Sequence, residues 1–174
     1  KAKGLNSTYM YINRVQFAGI DTFTGDNGGY KFFNHACGAI NAGQTYPICV
    51  SPGFLTSTYK VYWKIWIDFN ADGFFDPVTE EVVYGFGTTT MCATLTMPFS
   101  LPKKQTRMRV IMSYSGYPTS PCHSPLYGEV EDYCITILRN PDPCPEVDTV
   151  FFDGISFTGA FMYWPSAEGA IAYT

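Results

Sequence analysis

Five carboxylates crowd into the fourteen residues from Asp68 to Glu81, with no basic residue among them. Asp68, Asn70 and Asp72 place oxygen side chains at every second position, Gly73 follows, and Asp76, Glu80 and Glu81 come behind. Calcium takes about six to eight hard oxygen ligands, and a tight turn with alternating donors, a glycine and a main-chain carbonyl can wrap one such ion. The expected cofactor is Ca2+, held by Asp68, Asn70, Asp72, the carbonyl of Phe74, Asp76 and Glu80. An EF-hand would close with Glu at the twelfth loop position, but Thr79 stands there and the acids fall one and two places later. The spacing leaves open whether Asp76 or Glu81 reaches the ion. The competing reading is a solvated hairpin, since Asp, Asn and Gly are the commonest turn residues. Repulsion among uncompensated carboxylates favours the cation.

Such a loop must be held at both ends. Before it, Val61, Trp63, Ile65 and Ile67 alternate with Tyr62, Lys64, Trp66 and Asp68, the period of a strand with one face in a core. After it, Glu81 to Phe86 is again strand-like, so the loop joins two strands rather than two helices. Further strand signals run over 9–17, 30–33, 37–40, 45–50, 88–97, 106–114 and 129–138, while 22–29 reads as a polar turn and 51–54 as a break. With 13 Tyr, 14 Phe, 16 Gly and 12 Pro, the composition favours strands and turns. The expected fold is all-β, an antiparallel β-sandwich of jelly-roll or Ig-like type.

The formal charge is -4 and no basic run exceeds Lys103-Lys104, so a nucleic-acid surface is not expected. No apolar stretch reaches the roughly 20 residues of a membrane span. The six cysteines, Cys37, Cys49, Cys92, Cys122, Cys134 and Cys144, form no CxxC pair and read as disulfide candidates of a secreted or cell-surface protein, with connectivity open. The chain opens on Lys1 without a signal-peptide pattern, which reads as a mature or excised portion. Asn140 to Pro145 alternates prolines, so residues 1–140 are expected to form one domain, 141–149 a linker, and 150–174 the incomplete beginning of a second domain.

Other residues offer chemistry more weakly. Glu129, Glu131 and Asp132 are three carboxylates in four residues; strand alternation puts the two glutamates on one face, with Glu131 facing solvent or pairing with Arg107 or Arg109. A glycosidase would need two such acids across a cleft, which nothing in the sequence supplies. His35 and His123 read as surface loop residues, and zinc through His35 and Cys37 would rest on two ligands. Trp63 and Trp66 should point to opposite faces, so one of them, with Tyr59 and Tyr62, could stack on a sugar ring.

NGGY at Asn27–Tyr30, WKIWIDFNADGFFD at Trp63–Asp76, TRMRV at Thr106–Val110 and YGEVEDY at Tyr127–Tyr133 resemble the GEVED domain, a β-sandwich module appended to secreted proteins and peptidases, especially in Bacteroidetes. The resemblance covers roughly residues 5–138. It implies an accessory extracellular module rather than an enzyme, with Asp68, Asn70, Asp72 and Glu80 carried over to the acidic loop. Members often begin with a Tyr-Cys pair not seen before Leu5, so the partner of Cys122 is expected just upstream of Lys1. The tail from Val150, with Trp164 and AEGAIAYT, resembles the opening of a fibronectin type III domain. The function expected is therefore a non-catalytic, calcium-stabilised module for spacing, attachment or assembly. Its partners would be other domains of the same polypeptide, with surface glycans, protein partners or self-assembly as further possibilities. The alternatives are a carbohydrate-binding module and, behind it, a glycoside hydrolase or peptidase fragment.

Overall fold

The computed structural model describes residues 2–138 and, beyond them, the backbone of Phe151–Ser156 and Gly159–Tyr163. The chain divides into two compact units, Lys1–Asn140 and Pro141–Thr174. In the first, strands β1 (Met10–Phe17), β2 (Ile20–Phe23), β3 (Tyr30–Ile40), β4 (Thr45–Phe54), β5 (Val61–Ile67), β6 (Glu81–Gly87), β7 (Met91–Thr96), β8 (Gln105–Ser113) and β9 (Gly128–Ile137) form two sheets. One has the order β2-β1-β4-β7, the other β3-β9-β8-β5-β6. Among the described residues there is no helix, and the architecture is a β-sandwich.

Alternation along the strands builds the core. Trp63, Ile65 and Ile67 of β5, Met108, Val110 and Met112 of β8, and Tyr133, Ile135 and Ile137 of β9 meet Ile12, Val15, Phe17, Ile48 and Val50 from the other sheet. Aligned sheets pack in this way, with inward side chains interdigitating across about 10 Å. A second apolar cluster lies on the far face of the five-stranded sheet, where Trp66, Ile111 and Val130 are covered by Ala2.

The strands depart from expectation in three places. The sandwich is not wholly antiparallel, because β3 runs parallel to β9 with a register shift between Phe33 and Gly38. That shift lets the two expected pieces of β3 join into one strand. The segment read as a turn from Thr22 contributes to β2, whose Asp21 side chain takes a bidentate bond from Arg14 of β1 at 2.7 Å. β4 also runs through Ser51 and Pro52 to Phe54. Its pairing with β7 stops at Val50–Met91, so Pro52 stands where β4 has become an edge and a missing N–H is tolerated.

In the second unit, β10 (Phe151–Ser156) and β11 (Gly159–Tyr163) pair as an antiparallel hairpin, which alone does not define a fibronectin type III fold. The proposed linker at 141–149, Cys144 and the Trp164 to Thr174 stretch lie outside the described residues.

Candidate functional site

The acidic loop leaves β5 at Ile67 and returns at Glu81, whose carboxylate pairs with Lys64 of β5 at 2.8 Å, and its other carboxylates are occupied by its own main chain. Asp68 and Glu80 are buried. Asp68 accepts from Asp72 N at 3.2 Å through Oδ1 and from Gly73 N at 3.1 Å through Oδ2. Glu80 accepts from Phe69 N at 2.9 Å through Oε1 and from Asp76 N at 2.8 Å through Oε2. Ala71 and Gly73 take positive φ values of 54° and 92°, which folds the chain tightly enough for those amides to converge on Asp68. Asn70 Oδ1 accepts from Asp72 N, and Asp72 Oδ1 from Phe74 N, each an Asx turn. Asp76 turns to Val78 N and Thr79 N, and the Thr79 and Val78 amides hold its carboxyl below the usual range. The strand floor is tied in by Thr106, whose hydroxyl donates to Asp68 O at 2.6 Å.

The donors suit calcium in kind, all of them hard oxygens. In arrangement they serve the main chain: among the described residues no group of three or more His, Cys, Asp or Glu side chains is placed to hold a metal ion. Glu80 Oε1 and Asp76 Oδ1 each accept two main-chain amides, whereas both Asp68 oxygens, Asp72 Oδ1 and Glu80 Oε2 each accept one and keep a second lone pair.

The YGEVEDY segment opens β9, and here the structure divides three acids between two faces. Glu129 and Glu131 point into the sandwich, both fully buried. Glu129 Oε2 accepts from Ile12 N of the opposite sheet at 2.9 Å, beside the point where the register of β1 shifts, and its Oε1 accepts from Asn27 N at 2.8 Å. The Asn27 side chain donates to Glu131 Oε1 at 3.0 Å, and Tyr133 Oη lies 2.6 Å from Glu131 Oε2. Asn27 thus links both glutamates. Burial pushes Glu129 up to about 7 and Glu131 up to about 8, and with Glu131 beside it Tyr133 rises well above the ordinary phenol value.

Asp132 faces the other way. It takes a bidentate pair from Arg109, Nε to Oδ1 and Nη2 to Oδ2, each at 2.6 Å, and Tyr30 Oη donates at 3.0 Å. Arg109 also donates to Pro121 O at 2.9 Å and lies 4.9 Å from the Phe75 ring centre. Burial opposes its charge, but the Asp132 carboxylate outweighs this and raises its pKa. Arg109 therefore pairs with Asp132, and Glu131 faces neither solvent nor arginine. The expected partner was displaced by one residue, which on a strand means the opposite face.

Glycines explain why this corner closes. Gly4 N donates to Gly29 O and Gly128 N to Asn6 O, threading the N-terminal segment between the NGGY turn and β9. A Cβ on Gly29 would meet Gly4 O at 2.1 Å, and one on Gly128 would meet Met112 O at 2.1 Å.

The expected stacking residues change character. Trp63 and Trp66 do point to opposite faces, yet both are 0% exposed: Trp63 lies in the core between the sheets, and Trp66 lies in the outer cluster with Ala2, Ile111 and Val130, against which Tyr30 and Phe75 pack. Neither indole can meet a ligand. Tyr59 and Tyr62 remain half-buried; Tyr62 contacts Phe86 and Tyr117, and Tyr59 contacts Phe54 and Tyr114. Of the cysteines, Cys37 bonds Cys134 across the parallel pair, and Cys49 bonds Cys92 across β4 and β7. Cys122 is an exposed free thiol. His35 is exposed within β3 rather than in a loop, and His123 Nδ1 lies 3.1 Å from Thr119 Oγ1.

Sequence reasoning missed Asn27 as the hinge of the glutamate pair. Its signal was there, since a turn Asn followed by two glycines presents an amide side chain at a fixed angle, but the two acids it meets lie 102 and 104 residues later.

No curated protein matches the chain. Among solved structures it is similar to a Niemann-Pick type C2 protein from Japanese carpenter ant, at 7% identity and a TM-score of 0.41, over 79% of this chain and 98% of that one. The family model of the GEVED domain matches residues 62–136, from β5 through β9 and including both the acidic loop and the segment that pins the sheets: the chain contains a GEVED domain.

Proposed function

We propose that this chain is a non-catalytic structural module of a secreted or cell-surface protein, which holds neighbouring domains of its polypeptide apart or attaches them. The observation that carries the reading is the use made of Glu129, Glu131 and Asp132: each is buried and bonded to main chain, amide, phenol or arginine inside the fold. Acids committed in this way hold sheets together and have no access to a substrate. Two disulfides support an oxidising location. The hairpin that follows supports a further domain after the sandwich, which we read as of fibronectin type III type from the sequence of the tail alone.

Calcium belongs to the same proposal. The amide network already shapes the loop, and a cation using the remaining lone pairs of Asp68, Asp72 and Glu80 Oε2, with Asn70, Asp76 Oδ2 and the Phe74 carbonyl, would neutralise its clustered charge. The protein's own residues do the positioning; the ion supplies charge compensation. Thermal unfolding with excess calcium and after chelation, disulfides intact, tests it. A calcium-dependent rise in Tm that disappears in Asp72→Asn supports the ion. Equal Tm values refute it and leave the loop a purely hydrogen-bonded turn. Ligand binding stabilises by about 2.7 kcal/mol at a hundredfold excess over Kd, so the effect is readable.

A further inference from the structure

A cleft of about 400 Å³ opens on the outer face of the five-stranded sheet, between edge strand β3, the start of β8 and the acidic loop. Its floor includes Asp68 and Thr106, both buried, and its walls carry Phe32, Asn34, Gln105 and Arg107. That size falls within the range of small-ligand pockets, about 300–1,000 Å³. We propose that this cleft binds a neutral saccharide, one or two pyranose rings in extent, with Phe32 beneath the ring and Asn34, Gln105 and Arg107 on its hydroxyls.

The ligand class follows from the chemistry of the lining. Phe32 is 38% exposed on a strand, so its ring is fixed in place while part of it stays open to a sugar's C–H face. A hydroxyl both donates and accepts, and the cleft offers both functions: carboxamides at Asn34 and Gln105, each carrying a donor and an acceptor, and guanidinium donors at Arg107. Arg107 is held for the task, with Nη2 donating to Gly73 O at 2.8 Å and the guanidinium 5.7 Å from the Phe75 ring centre. The formal charges of Asp68 and Arg107 cancel. An anion would face the Asp68 carboxylate, a cost that an uncharged polyol avoids. The site is also firm. The Cys37–Cys134 disulfide crosses its β3–β9 side, and the loop that walls the other side is secured by its own amides.

The cleft shares its floor residue Asp68 with the calcium proposal, but Phe32, Asn34, Gln105 and Arg107 lie outside that donor set, so substitutions among those four test saccharide binding separately from calcium. The full chain, isotope-labelled, is titrated with methyl glycosides of glucose, galactose, mannose and N-acetylglucosamine, and with cellobiose, maltose, lactose and chitobiose; sodium sulfate and sodium acetate serve as anionic controls. At least one saccharide is expected to move the side-chain amide signals of Asn34 and Gln105 and the Arg107 signal saturably. Phe32→Ala and Gln105→Ala should each weaken that binding about tenfold, with Tm near that of the parent because both side chains are exposed. Silence across the panel overturns the proposal. So does binding that survives both substitutions, which would move the ligand to another surface such as the Tyr62–Tyr117 face, and so does preference for sulfate or acetate over every sugar.

Discussion

Replacing Glu131 with Gln tests whether the inward glutamates of β9 carry the pH dependence of this fold. Glu131 is fully buried, bonded to Asn27 Nδ2 and Tyr133 Oη, and burial raises it from 4.5 to about 8. A raised carboxyl means that the folded protein keeps a proton which the unfolded chain has already released. Stability from this group is thus complete below about pH 4.5, declines above it and is lost once the pH passes about 8. The displacement from 4.5 to about 8, at about 1.36 kcal/mol per pH unit, sets a ceiling of about 5 kcal/mol; Glu129, raised to about 7 in the same enclosure, adds to the same slope. Gln keeps the shape and cannot ionise. In urea unfolding followed by the fluorescence of the buried tryptophans, the parent should weaken steadily from about pH 5 to about pH 9, while Glu131→Gln loses at most about half as much. Near pH 5 the two should agree within about 1 kcal/mol, the worth of one altered hydrogen bond. A parent whose stability is level across that range, or a Gln variant with an undiminished slope, would refute the reasoning.

The remaining predictions concern the other supports of the sandwich. Asp132→Ala strands the Arg109 guanidinium in a buried site and should cost about 3–5 kcal/mol by denaturant unfolding, whereas the paired change Arg109→Met with Asp132→Leu recovers most of it. Asp132→Ala alone within about 1 kcal/mol of the parent would contradict the pair's burial. Opening Cys37–Cys134, which closes a separation of 97 residues, should destabilise by about 4–5 kcal/mol, and opening Cys49–Cys92, with a separation of 43, by about 4 kcal/mol; unfolding of the Cys→Ser pairs measures each loss. Gly128→Ala, at φ 134° with Met112 O in the way, should cost at least about 2 kcal/mol, read from the same curves.

Much of the sandwich was legible because alternation is a local property. Val61 to Ile67 and Thr106 to Ser113 declare two-faced strands in their own residues, and the Asp68–Glu81 turn declares its acids. Burial was less legible. Trp66 sits on the face that alternation assigns to solvent, and it is buried in a cluster with Ala2 from the start of the chain, against which Tyr30 and, from the acidic loop, Phe75 pack. Asp132 and Glu131 were both visible as acids, but which one meets Arg109 depends on the register Arg109–Asp132 in the β8–β9 ladder.

By itself the sequence determined the all-β character, the position and acidity of the β5–β6 loop, and the opposed directions of Trp63 and Trp66, since each follows from side-chain type and the two-residue period of a strand. The tertiary structure alone decided that β3 lies parallel beside β9, that Cys37 meets Cys134 while Cys49 meets Cys92, and that Asn27 holds Glu129 and Glu131 together. Those contacts join residues far apart in the chain. Their partners are chosen by which strands become neighbours, a choice made by burying the whole core at once.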